Sequence, residues 1–244
     1  MNVQQFILTA NDWTLVSKDV TAPFIAAQLV LVFGAKHLLA DERNRVKIQQ
    51  RYPAADLVFA STAGEIMSNQ VLDDTLSITA IYFAATRTQS SLTNIQQHSS
   101  SFATGQYLFQ CLNQANLKSI FIVSDGTLVN GSDLIAGLNA ANSTGIPISG
   151  GLAGDGNHFE STLAGLNEQV GTGNVVATGF YGDALEVYHS SLGGWDEFGR
   201  DRTITRSHKN VLYEIDGKNA LDLYKEYLGP FSDELPGSAL LFPI

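Results

Sequence analysis

The chain has 244 residues and a mass of 26.3 kDa, enough for one large domain or two small ones around a substantial core. It carries 14 Lys and Arg against 24 Asp and Glu, a formal net charge of −10 at pH 7. A phosphate backbone or an anionic bilayer is repelled by such a field, and no basic run compensates locally, so neither nucleic acid nor a membrane is an expected partner.

In chain order, residues 28–33 form a continuous apolar run closed by Gly34, the pattern of a strand buried on both faces. A polar stretch over 41–52 with Val46, Ile48 and Tyr52 as its narrow apolar stripe predicts a surface helix that ends at Pro53. Residues 56–60 and 76–83 read as strands, and 99–116 as an amphipathic helix with Leu108, Cys111, Leu112 and Ala115 on one face. A buried strand over 119–123 turns through Ser124, Asp125 and Gly126 into a helix over 131–141, capped by Asn130 or Ser132.

Beyond Gly145 the rhythm changes to short strands at 147–149, 162–166, 174–180, 185–190, 202–207 and 211–215. A last helix over 218–228, with Asp216 as its cap, has Ala220, Leu221, Tyr224, Tyr227 and Leu228 facing inward and stops at Gly229-Pro230. The expected class is layered α/β, with mixed, largely antiparallel sheets flanked by helices, and an αββα sandwich is one form of it. The apolar run over 238–244 predicts either a terminal strand in the core or the start of a further, truncated domain.

Cys111 is the one cysteine, so no intrachain disulfide and no thiolate zinc cluster is expected. The first residues lack the basic and apolar regions of a signal peptide, and no segment approaches the ~20 apolar residues of a membrane helix. The expected location is the cytoplasm. Between Arg87 and Arg200 the sole basic residue is Lys118, whereas Arg200, Arg202, Arg206, His208 and Lys209 cluster within ten positions. An anion bound in the centre would then depend on backbone N–H groups.

Two segments could carry chemistry. Ser61-Thr62-Ala63-Gly64-Glu65-Ile66 directly follows a buried strand, where α/β proteins place ligand groups, although its hydroxyls could equally satisfy local backbone. Gly150-Gly151-Leu152-Ala153-Gly154-Asp155-Gly156 has the glycine density of an anion nest, but matches neither a dinucleotide fingerprint nor a P-loop. Tight packing between layers explains the glycines equally well. Five histidines, His37, His98, His158, His189 and His208, have no metal-ligand spacing, though any one could be an axial haem ligand. A hydrolase would use Ser61 or Thr62, but no nucleophile elbow or marked acid–base pair accompanies them. Alternation from Arg200 to His208 would align basic side chains on one face, as edge protection or as a docking patch for an acidic partner.

Taken in order with Gly193-Gly194-Trp195, Gly199, Thr205-Arg206-Ser207 and Ile215-Asp216-Gly217-Lys218-Asn219-Ala220, these segments resemble the N-terminal domain of the FIST family. The family's usual proline before that last alanine is replaced by Asn219. The resemblance implies a non-catalytic sensory domain of bacterial signal transduction over 1–235, with 236–244 opening a second domain. It implies a small-molecule ligand, an amino acid or derivative, and an output partner such as a histidine kinase or chemoreceptor. No cofactor is expected on this reading, and a haem-based nitric oxide sensor is the alternative. The implied ligand-binding residues are Ser61, Thr62, Gly64, Glu65, Gly150, Gly151, Ala153, Gly154, Asp155 and Trp195. Glycine-loop N–H groups would meet a carboxylate, and Glu65 or Asp155 an ammonium group.

Overall fold

Apolar residues that alternate between two destinations decide the architecture. In the computed structural model, which describes residues 1–9, 12–18, 26–67, 69–190, 196 and 199–243, the chain divides into two units, Met1–Tyr188 and His189–Ile244. The first contains β1 (Asn2–Leu8), β2 (Trp13–Lys18), β3 (Leu29–Gly34), α1 (Lys36–Ala40), α2 (Glu42–Arg51), β4 (Asp56–Ser61), β5 (Glu65–Met67), β6 (Gln70–Leu72), β7 (Leu76–Tyr82) and β8 (Arg87–Asn94). It continues with α3 (Ser101–Leu112), β9 (Leu117–Ser124), α4 (Gly131–Ala141), β10 (Ile148–Leu152), β11 (Ala164–Leu166), β12 (Gln169–Gly171) and β13 (Asn174–Tyr181).

Seven strands form one sheet in the order β12-β11-β4-β3-β7-β1-β2, and four form a second in the order β10-β9-β13-β8. Among the described residues only β3–β4 and β9–β10 pair in parallel, each through a crossover that contains helix. In β3, Leu29 joins the layer between the sheets with Leu31 and Phe33 packed against it, while Val30 and Val32 pack under α1 and α2 with Leu38, Leu39, Ile48 and Tyr52. In β9, Val123 enters the same inner layer and Ile120 and Ile122 lie under α3 and α4, against Leu108, Leu112, Leu134 and Leu138. The result is an αββα sandwich, the form of the expected class that leaves neither sheet with a bare apolar face.

The predicted elements over 28–33, 41–52, 56–60, 76–83, 99–116, 119–123, 131–141, 174–180 and 211–215 are present, with shifts of a few residues at most ends. Asn130 caps α4 by accepting from the Asp133 N–H at 3.0 Å. Besides the short β5, β6 and β12, strands β1, β2 and β8 have no counterpart in the sequence reading. Strands β1 and β2 lack a continuous apolar run; β1 turns Gln4, Phe6 and Leu8 inward, with Trp13 edge-on to Phe6 at 5.6 Å and the Arg51 guanidinium over Phe6 at 4.3 Å. Strand β8 is polar throughout save for Leu92, and pairing with β13 along its whole length holds it in place.

Residues 185–190, expected as a strand, form irregular chain in which Glu186, Val187 and Tyr188 are exposed and bury no apolar face. In the second unit, β14 (Ile204–His208), β15 (Val211–Ile215) and β16 (Lys218–Asn219) form an antiparallel sheet followed by α5 (Ala220–Leu228). Asn219, not Asp216, caps α5, accepting from the Leu221 and Asp222 N–H groups. Asp216 instead accepts from Arg202 and the Thr203 N–H. Leu223, absent from the predicted inner face, is buried with Ala220 and Leu228, whereas Leu221 and Tyr227 are exposed. Register shifts on both sides of Arg206 break the expected alternation, and Arg202 and Arg206 pair with Asp216 and Glu214, so the basic run is largely neutralised by its neighbours. The expected terminal strand is replaced by a short 3-10 helix, Gly237–Leu240, with Leu240, Leu241 and Phe242 exposed.

Helices α3 and α4 approach so closely that a Cβ on Gly137 would strike the Phe102 carbonyl. Gly137→Ala should therefore lower stability by roughly 1–3 kcal/mol through overpacking, despite a helix-propensity gain of about 1 kcal/mol. Urea unfolding midpoints check this, and a neutral or stabilising result would contradict the close contact.

Candidate functional site

Both parallel pairs deliver loops to the same place, because the Gly154 N–H donates to the Ser61 carbonyl at 2.8 Å and so ties the loop after β10 to the end of β4. Ser61 is fully buried and fastened on three sides: its N–H donates to the Leu163 carbonyl, its Oγ accepts from the Leu163 N–H at 2.9 Å, and its carbonyl receives Gly154. Thr62 donates through Oγ1 to Glu65 Oε1 at 2.7 Å. Glu65, buried itself, also accepts from the Thr75 hydroxyl at 2.7 Å and the Thr75 N–H at 3.3 Å. Its carboxylate thus closes the turn through Gly64 that starts the β5–β6 hairpin.

The glycine segment divides into parts with different tasks. Gly150, with φ +150°, lies so close to β9 that a Cβ would strike the Ile122 carbonyl, and Gly151 faces open space. The Ala153 N–H donates to the Ser124 carbonyl, and Gly154 is used as above, so these two N–H groups serve the fold rather than a nest. At Gly154 an added Cβ would lie 3.2 Å from the Ala63 nitrogen, which places the next residue, Asp155, beside the 61–65 segment.

Asp155 organises the loop that follows. Its Oδ1 accepts from the Phe159 N–H at 3.1 Å, and its Oδ2 accepts from the Glu160 and Ser161 N–H groups at 3.0 and 3.1 Å. Burial pushes the carboxyl pKa up, but the Ser161, Glu160 and Phe159 N–H groups and the nearby Lys36 ammonium outweigh it and leave the group below its ordinary value. Lys36 Nζ lies 3.8 Å from Asp155 Oδ2 and donates to Ser161 Oγ at 2.6 Å, with 32% of its side chain exposed. The expectation of a centre with Lys118 as its lone cation therefore needs correction: Lys36 lies outside the 87–200 window in sequence, yet the end of β3 carries it to the glycine segment.

The structure brings together Ser61, Thr62, Gly64, Glu65, Ala153, Gly154 and Asp155. Gly150 and Gly151 lie further back along β10, and Trp195 lies outside the described residues. Lys36, Ser161 and Asp125 escaped the sequence reading. Lys36 was within reach of the rule that selected Ser61, since it too follows a buried strand. Asp125 is fully buried and accepts from the Thr127, Leu128 and Gly173 N–H groups, fastening the turn after β9. Ser161 carried no signal. A shallow hollow elsewhere, beside α2 and the β11–β12 turn, is lined by none of the predicted residues.

None of the five histidines is buried. His98 Nε2 is bonded to Thr93 Oγ1 at 2.7 Å with its ring against Tyr107, and His158 Nδ1 is 2.8 Å from the Asp155 carbonyl. Among the described residues no group of three or more His, Cys, Asp or Glu side chains could hold a metal ion, and no helix is long and apolar enough to cross a membrane.

Compared with known proteins, the chain matches the FIST N domain family over residues 28–218, which includes every loop of the site. No curated protein matches it.

The Asp155 geometry fixes a sign for pH dependence. A carboxyl held below its ordinary value contributes stability that is present above the unfolded value, 3.8, and is lost as pH falls through the lower folded value. Asp155→Asn should cost roughly 1–3 kcal/mol at neutral pH, and the gap to the parent should close below about pH 4. Denaturant titrations across that range measure it, and a gap independent of pH would contradict the assignment.

Proposed function

The chain belongs to the FIST N domain family, a sensory family of signal transduction, and from that premise we propose that it is a non-catalytic module that binds a small molecule where these loops meet. One observation carries the reading. A partly exposed cation, Lys36, and a carboxylate with acceptor capacity to spare, Asp155, stand side by side at the junction of loops from two different sheets.

An ionised carboxylate has about four acceptor positions, and Asp155 Oδ1 receives a single N–H bond. A ligand with both charges, an amino acid or close derivative, would direct its carboxylate at Lys36 Nζ and the Ser161 hydroxyl and its ammonium at Asp155 Oδ1. Lys36 thereby takes the place first given to the glycine N–H groups. Thr62, Gly64 and Glu65 shape the neighbouring turn, Ala153 and Gly154 tie the loop to both sheets, Gly150 fits β10 against β9 with Gly151 beside it, and Trp195 rests on the family's pattern alone. An output partner such as a histidine kinase or chemoreceptor is proposed on the family's sensory character.

The hydrolase reading gains no support from the geometry: Ser61 is fully buried and Thr62 is bonded to a carboxylate that Thr75 also engages. Haem would need an axial histidine, and His98 Nε2 and His158 Nδ1 are each engaged in a hydrogen bond.

A thermal-shift screen of amino acids and related carboxylates should find one that raises the melting temperature, since a ligand preferring the native state must do so. Calorimetry with that compound should give at least about tenfold weaker binding for Lys36→Ala, a loss of about 1.4 kcal/mol. The unliganded variant should lose only about 1 kcal/mol, because the ion pair is long at 3.8 Å, Lys36 is partly exposed and Asp155 keeps its three N–H donors. Parental affinity in Lys36→Ala would overturn the assignment.

A further inference from the structure

One edge of the four-stranded sheet lacks the devices that keep strands from pairing with strangers. Strand β10 runs beside β9 without a register shift, from Ile148 opposite Ile120 to Leu152 opposite Ser124. The Ile120 N–H donates to the Pro147 carbonyl and the Ala153 N–H to the Ser124 carbonyl, so the odd-numbered residues are those bonded to β9. By that parity Ile148, Gly150 and Leu152 turn their N–H and C=O groups outward. Gly154, the next in the outward series, gives its N–H to Ser61.

The other edges are blunted. Strand β8 opens with the exposed Arg87, β12 is three residues long, and the β1–β2 pairing is broken by a register shift. Strand β10 is five residues long, uncharged and free of proline. Its last residue, Leu152, is 53% exposed, and in the chain that connects β9 to it Leu128 and Ile135 are 51% and 38% exposed.

Charge identifies the occupant. From Gly126 to Gly154 the chain holds one charged residue, Asp133, although 16% of the whole sequence is charged and the net charge is −10. Two copies of so acidic a protein repel each other over most of their surface, and this is a stretch where they can meet without acid against acid. We propose that β10 and the outer face of α4 form a two-fold interface with a second copy of this chain, joining two four-stranded sheets into one of eight strands. Antiparallel pairing about Gly150 sets Ile148 opposite Leu152 of the partner subunit, and the two-fold axis makes both ends of the contact alike. Gly150 must be glycine for its approach to β9, while Gly151 has nothing within 4 Å of an added Cβ.

Gly151→Lys therefore places a charge on the edge without crowding the protomer. Sedimentation velocity of the 244-residue chain at micromolar concentration should give a dimer. Gly151→Lys should raise the dimer dissociation constant at least about tenfold, and Ile135→Lys, on the exposed side of α4, should also raise it. Circular dichroism establishes that each variant is folded, and should Gly151→Lys fail to fold, Ile135→Lys decides. The proposal is overturned by a parent chain that stays monomeric at every concentration, by a folded Gly151→Lys variant that dimerises as the parent does, or by an edge that pairs only with a different polypeptide.

Discussion

Strands β3, β4, β9 and β13 are covered on both faces, and the rest of the larger unit is arranged around that constraint. A strand apolar on both sides needs two layers of cover, so each sheet takes helices outside and the other sheet inside. Small residues such as Ala60, Ala153 and Val176 line the inner layer and let the sheets approach. The two parallel pairs each need a crossover, and both crossovers leave their loops at one end of the sandwich. That is why the polar residues of the site lie together although they come from four separate stretches of sequence.

The site is economical with its main-chain groups. The Ser61 carbonyl and the N–H groups of Ala153 and Gly154 are used to join the layers, which leaves recognition to side chains. Glu65 and Asp155 are both largely buried, yet their surroundings differ: Glu65 is held by two threonine hydroxyls and an N–H, Asp155 by three N–H groups and a lysine. The lysine makes the difference. It gives the Asp155 end both signs of charge, whereas the Glu65 end is a closed structural turn.

The sandwich was legible wherever the apolar pattern was continuous. Runs such as 28–33 and 119–123 announce doubly buried strands, and Asn130 announces the start of α4. Strand β8 was not legible, because backbone pairing with β13 compensates for side chains that carry no strand signal. The cap of α5 was misread since Asp216 and Asn219 are equally good candidates by residue type, and Arg202, fourteen positions away, claims Asp216. Distance in sequence also hid the cation. Counting charges between Arg87 and Arg200 says nothing about Lys36, which meets Asp155 only because β3 ends beside the loop after β10.

Whether loops from the two sheets act as one ligand-responsive site is tested by amide hydrogen exchange, read residue by residue with and without a stabilising amino-acid-like ligand. Residues 61–65 and 153–161 should gain protection together at the same ligand concentration. Protection confined to one of the two segments, or centred on the hollow beside α2 instead, would contradict it.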